Sequence, residues 1–300
     1  MGKTVVIGSA NTDMVVKSER IPVPGETVLG GRFIMNPGGK GANQAVAAVR
    51  MGGEVTFIAK VGNDLFGRES IESWKKEGID VSQVVTDPDH PSGVALIMVD
   101  AKGENCISVA SGANAALGPD DVKPAVIETA DIVLMQLETP LETVLHAAQC
   151  AKAKGIPVIL NPAPAAALPD ELFSCLYLIT PNETEAEILT GIKVTDEVSA
   201  QKAAENLRQK GVKNVIITMG KQGAFVFSGD FRGIIPASLV EAVDTTAAGD
   251  VFNGALAVCL SENMNLKEAV RTAAKAAAIS VTRMGAQSSA PYRNEVEKLG

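Results

Sequence analysis

The sequence predicts an α/β fold with a mostly parallel central sheet covered by helices on both faces. Short β-branched apolar runs recur along the 300 residues, and alanine-rich helical stretches separate them. The runs are nearly continuous in apolar character instead of alternating, as expected of strands buried on both sides. Strand and helix in succession give an α/β order.

In chain order, TVVIG (Thr4–Gly8) reads as the first strand. Met14 to Met35 is turn-rich and extended, with Pro22, Pro24 and Gly25, and breaks the rhythm. A glycine-rich turn then leads into the helical AVAAVR, and VTFIAKVG (Val55–Gly62) is the next strand. Gly93 to Ser111 breaks the pattern again, with two strand-like runs joined across Ala101–Glu104, where Gly103 serves the turn. DIVLMQLE (Asp131–Glu138), PVILNPAP (Pro157–Pro164), LYLITPNE (Leu176–Glu183) and NVIITMG (Asn214–Gly220) read as buried strands. Helices are expected over Leu141–Lys154, Glu183–Leu189, Ala200–Lys210 and Leu266–Val281. The two irregular regions, about 14–35 and 93–111, read as β-structure inserted into a single domain, together a small sheet over its active edge.

Composition narrows the function. The net charge is −8 and no long basic run occurs, so a nucleic-acid partner is not expected. An anionic substrate remains compatible, because local backbone dipoles act at close range. Cys106, Cys150, Cys175 and Cys259 each stand alone, with only His90 and His146 to join them. That argues against a zinc or disulfide framework and suits a reducing cytosol. The apolar run at Thr4–Ile7 is too short for a leader, and no stretch is long enough for a membrane span, so a cytoplasmic protein without membrane contact is expected. No GxGxxG follows the first strand, which argues against a dinucleotide-dependent oxidoreductase.

In open parallel sheets, ligands bind beyond the carboxyl ends of the strands. Asn11, Asp13, Glu138, Asn161, Asn182 and Glu185 fall where strands run out, and suggest one crevice. Asn161 reads equally as a turn former. Asn182 and Glu185 also read as a helix cap with its reciprocal partner. Two segments carry more. In Asn36-Pro37-Gly38-Gly39-Lys40-Gly41-Ala42-Asn43-Gln44, glycines let the backbone approach a ligand and a helix start offers free N–H groups. In Asp244-Thr245-Thr246-Ala247-Ala248-Gly249-Asp250, a run of small residues opens an apolar helix and places Asp250 in its first turn. A carboxylate there can merely complement the helix dipole. Beside an anion cradle, it also supplies what phosphoryl transfer to an alcohol requires.

GGKGANQAVAA and DTTAAGDVFNGA resemble the two signature segments of the ribokinase-like carbohydrate kinase family. VIGSANTD, PGETV, GVALIMVD, GANAAL, MQLETPLE, LNPAPA, TPNETEAEILTG and AVDTTAAGD extend the likeness over essentially the whole chain. The resemblance implies a three-layer α/β/α sandwich with a small β-sheet lid, and pairing of two subunits through the lids. It implies that Asn11, Asp13, Gly39, Lys40, Gly41, Ala42, Asn43 and Glu138 meet the sugar. Asp250 matches the catalytic base, and Ala247, Ala248 and Gly249 match the anion hole. Asn182 and the turn Thr218, Met219, Gly220, Lys221, Gln222 and Gly223 match nucleotide-binding positions, with Glu185 linked to Mg²⁺. Asp244, Thr246, Ser280, Arg283, Gly285 and Ser289 match the loops that hold an activating K⁺, largely through backbone carbonyls.

The implied reaction is MgATP-dependent phosphorylation of D-ribose at its 5-hydroxyl. The same chemistry on deoxyribose, a hexose, a sugar acid or a nucleoside is the alternative, and a non-catalytic sugar binder is the alternative from another class. Two departures stand out. Ala247 replaces the first glycine of the usual G-A-G-D, which is costly if that residue needs positive φ. Ala274 stands where related enzymes often carry Asn or His near the adenine.

Overall fold

The computed structural model describes residues 2–299 and contains a nine-stranded sheet and a separate four-stranded one. The larger comprises β1 (Lys3–Ile7), β4 (Glu54–Gly62), β5 (Val84–Asp87), β8 (Ile132–Met135), β9 (Val158–Leu160), β10 (Leu178–Ile179), β11 (Asn214–Thr218), β12 (Ala224–Phe227) and β13 (Arg232–Ile235). Their order is β13-β12-β11-β10-β9-β8-β1-β4-β5. From β11 to β5 all neighbours are parallel, whereas β12 and β13 form antiparallel pairs. The short link at 219–223 explains the switch: it is long enough for a hairpin and too short for a crossover.

Alternate residues along the strands feed two cores. Val6, Phe57, Leu134, Ile159 and Ile216 pack on one face with α1 (Lys40–Arg50), α2 (Leu65–Glu77), α8 (Ala248–Ser261), α9 (Leu266–Ser280) and α10 (Arg293–Lys298). Val5, Ile58, Val133, Leu160 and Ile217 pack on the other with α3 (Pro124–Ile127), α4 (Leu141–Ala153), α5 (Asp170–Phe173), α6 (Glu183–Thr190) and α7 (Glu197–Gln209). This is the three-layer sandwich, and burial on both faces is why the strands read as unbroken apolar runs. The expected strands over Pro157–Pro164 and Leu176–Glu183 are shorter in the fold. Pro162, Pro164 and Pro181 cannot donate to a ladder, so Asn161 and Asn182 lie past the strand ends.

Helices α1 and α8 touch through their backbones. A Cβ on Gly254 would stand 2.5 Å from the Gln44 carbonyl oxygen and 2.7 Å from the Ala47 Cβ. Only glycine permits that approach, and it sets the first turns of both helices side by side.

The smaller sheet runs β3-β2-β6-β7, from β2 (Asn11–Lys17), β3 (Arg32–Gly38), β6 (Gly93–Val99) and β7 (Asn105–Ala110). Its strands reach beyond the two irregular regions of the sequence, so that Asn11 and Asp13 belong to β2. Only Gly8, Ser9 and Ala10 separate β1 from β2, so the small sheet springs from the carboxyl end of the large one. Cross-strand register places Asp13, Asn36 and Ala95 on one face, and Met14, Met35 and Leu96 on the other with Val16, Phe33 and Met98. On that second face Phe33 is 60% and Leu96 53% exposed. No helix among the described residues is long and apolar enough to cross a membrane.

Candidate active site

The sheet order fixes where the site lies. From β1 the chain goes to β4 and β5 on one side, then returns through β8 on the other. A crevice opens beyond the carboxyl ends of β1 and β8, where the direction of winding reverses. Ser9, after β1, and Glu138, after β8, meet there: the Ser9 hydroxyl donates to Glu138 Oε2 at 2.5 Å. The Lys40 amide donates to the same oxygen at 3.1 Å, which draws in the glycine turn. Gly39 makes that turn at φ 88°, and a Cβ on it would stand 2.6 Å from the Asn11 nitrogen.

The turn spends most of its amides internally. Ala42 N–H donates to Ser9 O, Gly41 N–H to Ser9 Oγ, and Asn43 N–H to Gly39 O. Gly41 and Ala42 are buried against the end of β1, so they shape the crevice more than they offer it hydrogen bonds. What the turn presents is the Lys40 side chain and Asn43 Oδ1, a buried acceptor without a partner among the described residues. Asn11 Oδ1 accepts from Asn114 Nδ2 at 2.8 Å, which leaves the Asn11 Nδ2 to donate outward. Asp13 makes no side-chain hydrogen bond among the described residues. A cavity of about 350 Å³ opens between Asn11, Asn114, Val109, Glu138 and Pro164.

Asp250 lies in the first turn of α8, 6% exposed. Its Oδ2 accepts from Asn43 Nδ2 and its Oδ1 from Gln44 Nε2, both at 2.9 Å. Burial pushes its pKa up, against the pull of Lys40 and the two amides, and the balance stays raised. Burial, then the charges of Glu138 and Asp250, lifts Asp13 to about 6. Glu185 is also raised, chiefly by burial. Lys40 is desolvated too, yet Asp250, Glu138, Glu185 and Asp13 outweigh that and hold it protonated. One ammonium among four carboxylates leaves the crevice strongly acidic.

Next to Asp250, Ala247 adopts φ 59° and ψ 12°, the left-handed conformation in which alanine is strained. The amides of Gly249 and Asp250 point out of the helix start with no acceptor among the described residues. A Cβ on Gly249 would meet nothing within 4 Å.

The Asp244 loop is stitched to the 281–289 loop. Asp244 accepts from Thr246 N–H, Thr246 Oγ1 and Gly285 N–H at 2.6–2.9 Å. Burial raises its pKa, but these donors outweigh it and hold the carboxyl below its ordinary value. Ser280 and Ser289 donate to carbonyls of their own helices, and the Arg283 guanidinium binds Glu295. Arg283 therefore has only its backbone to offer. These residues offer oxygen donors only, with a single carboxylate, and no cluster of three or more His, Cys, Asp or Glu suited to a metal occurs among the described residues.

The cap reading of Asn182 and Glu185 is what the structure displays. They form a reciprocal cap, Asn182 N–H to Glu185 Oε2 and Glu185 N–H to Asn182 Oδ1, each 2.8 Å. Asn182 Nδ2 and Glu185 Oε1 have no partner among the described residues. Asn182 also bridges Thr218 in parallel, which sets the 218–223 turn beside α6. There Gly220, Lys221 and Gln222 are exposed, whereas the Met219 side chain is in the core and only its backbone can face a ligand. Ser9, Gln44, Asn114 and Gln136 were not singled out by sequence. Ser9, Gln44 and Gln136 each stand within two residues of one that was, and Asn114 lies in the GANAAL stretch, but nothing in a single sequence distinguishes a buried amide that orients a site residue from one that packs.

A doubly covered parallel sheet with a polar crevice at its switch point, a buried carboxylate and an open helix start suits phosphoryl transfer to a small hydroxylated acceptor. The family model described as pfkB family carbohydrate kinase matches residues 1–293, and the chain belongs to that family of sugar kinases. It is 49% identical over 298 residues to a Haemophilus influenzae protein named ribokinase, covering 98% of this chain and 97% of the relative. A Salmonella typhi deoxyribokinase is 41% identical, with 95% and 94% covered. The structure of Arabidopsis thaliana ribokinase complexed with ribose and ATP superposes with a TM-score of 0.92 at 34% identity, with 99% and 98% covered.

Proposed function

We propose that the protein transfers the γ-phosphoryl group of ATP to O5 of D-ribose, giving D-ribose 5-phosphate and ADP, with Asp250 as general base. The observation that carries this reading is the Asp250 carboxylate, fixed by amides from the sugar turn and adjoining the free N–H groups of the α8 start. Each of its oxygens keeps a lone pair beyond the one given to an amide, and the 5-hydroxyl donates there. As O5 attacks phosphorus, the proton passes to Asp250 and the bond to ADP breaks. The amides of Gly249 and Asp250 face the charge that develops on the transferred group.

The sugar is held by complementary polarity. Asn11 donates, Asp13 and Glu138 accept, and Asn43 Oδ1 accepts from a further hydroxyl. The small sheet acts as a lid over this crevice on the domain formed by the rest of the chain. Its outer face, with Phe33, Met35, Leu96 and Met98, is the surface through which two copies pair, since a contiguous apolar face of this kind favours burial. The turn at 218–223 and Asn182 border the nucleotide.

Metal ions answer the acidity of the crevice. Glu185 Oε1, free of partners, would hold Mg²⁺ directly or through water; Mg²⁺ characteristically binds one or two carboxylates together with phosphate oxygens. Bound there, it would neutralise phosphate charge that the carboxylates otherwise repel. K⁺ would lie among the Asp244 carboxylate, the Thr246, Ser280 and Ser289 oxygens and the backbone carbonyls of Arg283 and Gly285, stabilising the loops beside the anion hole. Free cysteines throughout suit the reducing cytoplasm, where we place the protein.

ATP consumption across ribose, deoxyribose, hexoses, sugar acids and nucleosides, with and without K⁺, tests the acceptor; preference for anything but ribose overturns it. Asp250→Asn should lower turnover by roughly 10²–10⁴ while sugar still binds. Near-normal turnover of that folded variant removes Asp250 from its role.

A further inference from the structure

Behind Asp250 lies a chain of amides whose direction is fixed from one end. The Thr180 carbonyl can only accept, so Asn161 must turn its Nδ2 toward it, at 3.2 Å. Asn161 Oδ1 then faces Gln44 and accepts from its Nε2 at 3.0 Å. The same Nε2 donates its second hydrogen to Asp250 Oδ1 at 2.9 Å. Gln44 Oε1, turned the other way, accepts from Gln136 Nε2 at 2.6 Å. Both Gln44 and Gln136 are fully buried, and neither lines the sugar cavity. Gln44 thus has no hydrogen left for a ligand, and its amide cannot reverse without breaking bonds at both ends.

We infer that Gln44, oriented by Asn161 and Gln136, is a positioning residue that fixes the Asp250 carboxylate in the rotamer that accepts the proton and in its ionised form. The inference rests on Asp250 being the base. A carboxylate in this position is faced by Lys40, Asn43 and Gln44 from α1, Asp13 from β2, Glu138 after β8 and Glu185 from α6. Among these, Lys40 and the two amides alone favour the charged form, and Lys40 is shared with the other three carboxylates. Asn43 must also serve the sugar, which leaves Gln44 as the donor committed to Asp250.

The test uses the full-length enzyme with MgATP and D-ribose. Gln44→Met keeps length and volume and removes the donor. It should lower kcat about 10- to 100-fold, the worth of a hydrogen bond to a charged group, with the sugar KM within about twofold of wild type. The acid limb of the kcat profile should move up by about one pH unit or more. Gln136→Met leaves Asp250 untouched and removes one of the two holds on the Gln44 amide, Asn161 keeping the other, so it should shift kcat and the acid limb in the same direction by less. If Gln44→Met does not fold, Gln136→Met carries the test alone. An unchanged acid limb with unchanged kcat, or a rise in KM alone, overturns the inference. If Asp250→Asn abolishes turnover while the glutamine variants are silent, only the positioning role fails; if Asp250→Asn is active, the base assignment fails and this inference with it.

Discussion

Replacing Asp13 with asparagine should stabilise the ligand-free enzyme while impairing its use of sugar. Burial and the neighbouring Glu138 and Asp250 lift the Asp13 pKa from 3.8 to about 6. Because the folded state holds this proton more tightly, it binds more protons than the unfolded chain between those values. Stability therefore falls as pH rises through that window. Below pH 3.8 there is no penalty, and above about 6 it is complete. A rise of this size corresponds to about 3 kcal/mol. The pull of Lys40 is already contained in that net rise; the buried asparagine amide keeps part of the desolvation cost, which leaves about 1–3 kcal/mol. For a chain of this length, that is about 2–5 °C in Tm. The assay is a melt of Asp13→Asn and wild type, without sugar, from pH 4 to pH 8. The difference should start near zero and grow to a plateau above pH 6. A constant offset across the range, or a variant less stable at pH 7, refutes the reasoning. The sugar KM should rise at least tenfold, from loss of a hydrogen bond to a charged acceptor.

Two other outcomes follow from the geometry. Ala247→Gly relieves left-handed strain of about 1–2 kcal/mol but adds about 0.4–1 kcal/mol of unfolded-chain entropy, so denaturant titration should show a gain of about 0.5–1 kcal/mol. Any loss would mean that the strain is absent. Leu96→Asp, on the exposed face of the small sheet, should convert dimers to monomers in sedimentation equilibrium with little loss of thermal stability; a wild type that is already monomeric removes the pairing surface.

The sequence made the layers legible because burial on both faces writes itself as unbroken apolar runs, as in Val158–Leu160. It left β12 and β13 unseen, since their antiparallel return depends on the five-residue link after Thr218 rather than on any pattern in AFVF. It placed Asp250 in a first turn correctly from the small residues before it. The left-handed backbone of Ala247 was beyond it, because alanine at that position argues for the opposite conformation. Gln44 and Gln136 escaped for a different reason. Their meaning lies in which way an amide points, and that is set by the Thr180 carbonyl, more than a hundred residues from Gln44 along the chain.

The order Ala247-Ala248-Gly249 has a consequence for anyone who would engineer this chain. The backbone would be more comfortable with glycine at the first position, where φ is positive, and would accept alanine at the third, where a helical residue finds empty space. A stability screen without substrate would therefore select the exchange of the two. Glycine at 247 would be harmless, but a methyl at 249 would enter the open space that the proposed reaction assigns to the phosphoryl group. The most thermostable variants from such a screen would include poor catalysts, and only selection under turnover would preserve the order that the chain carries.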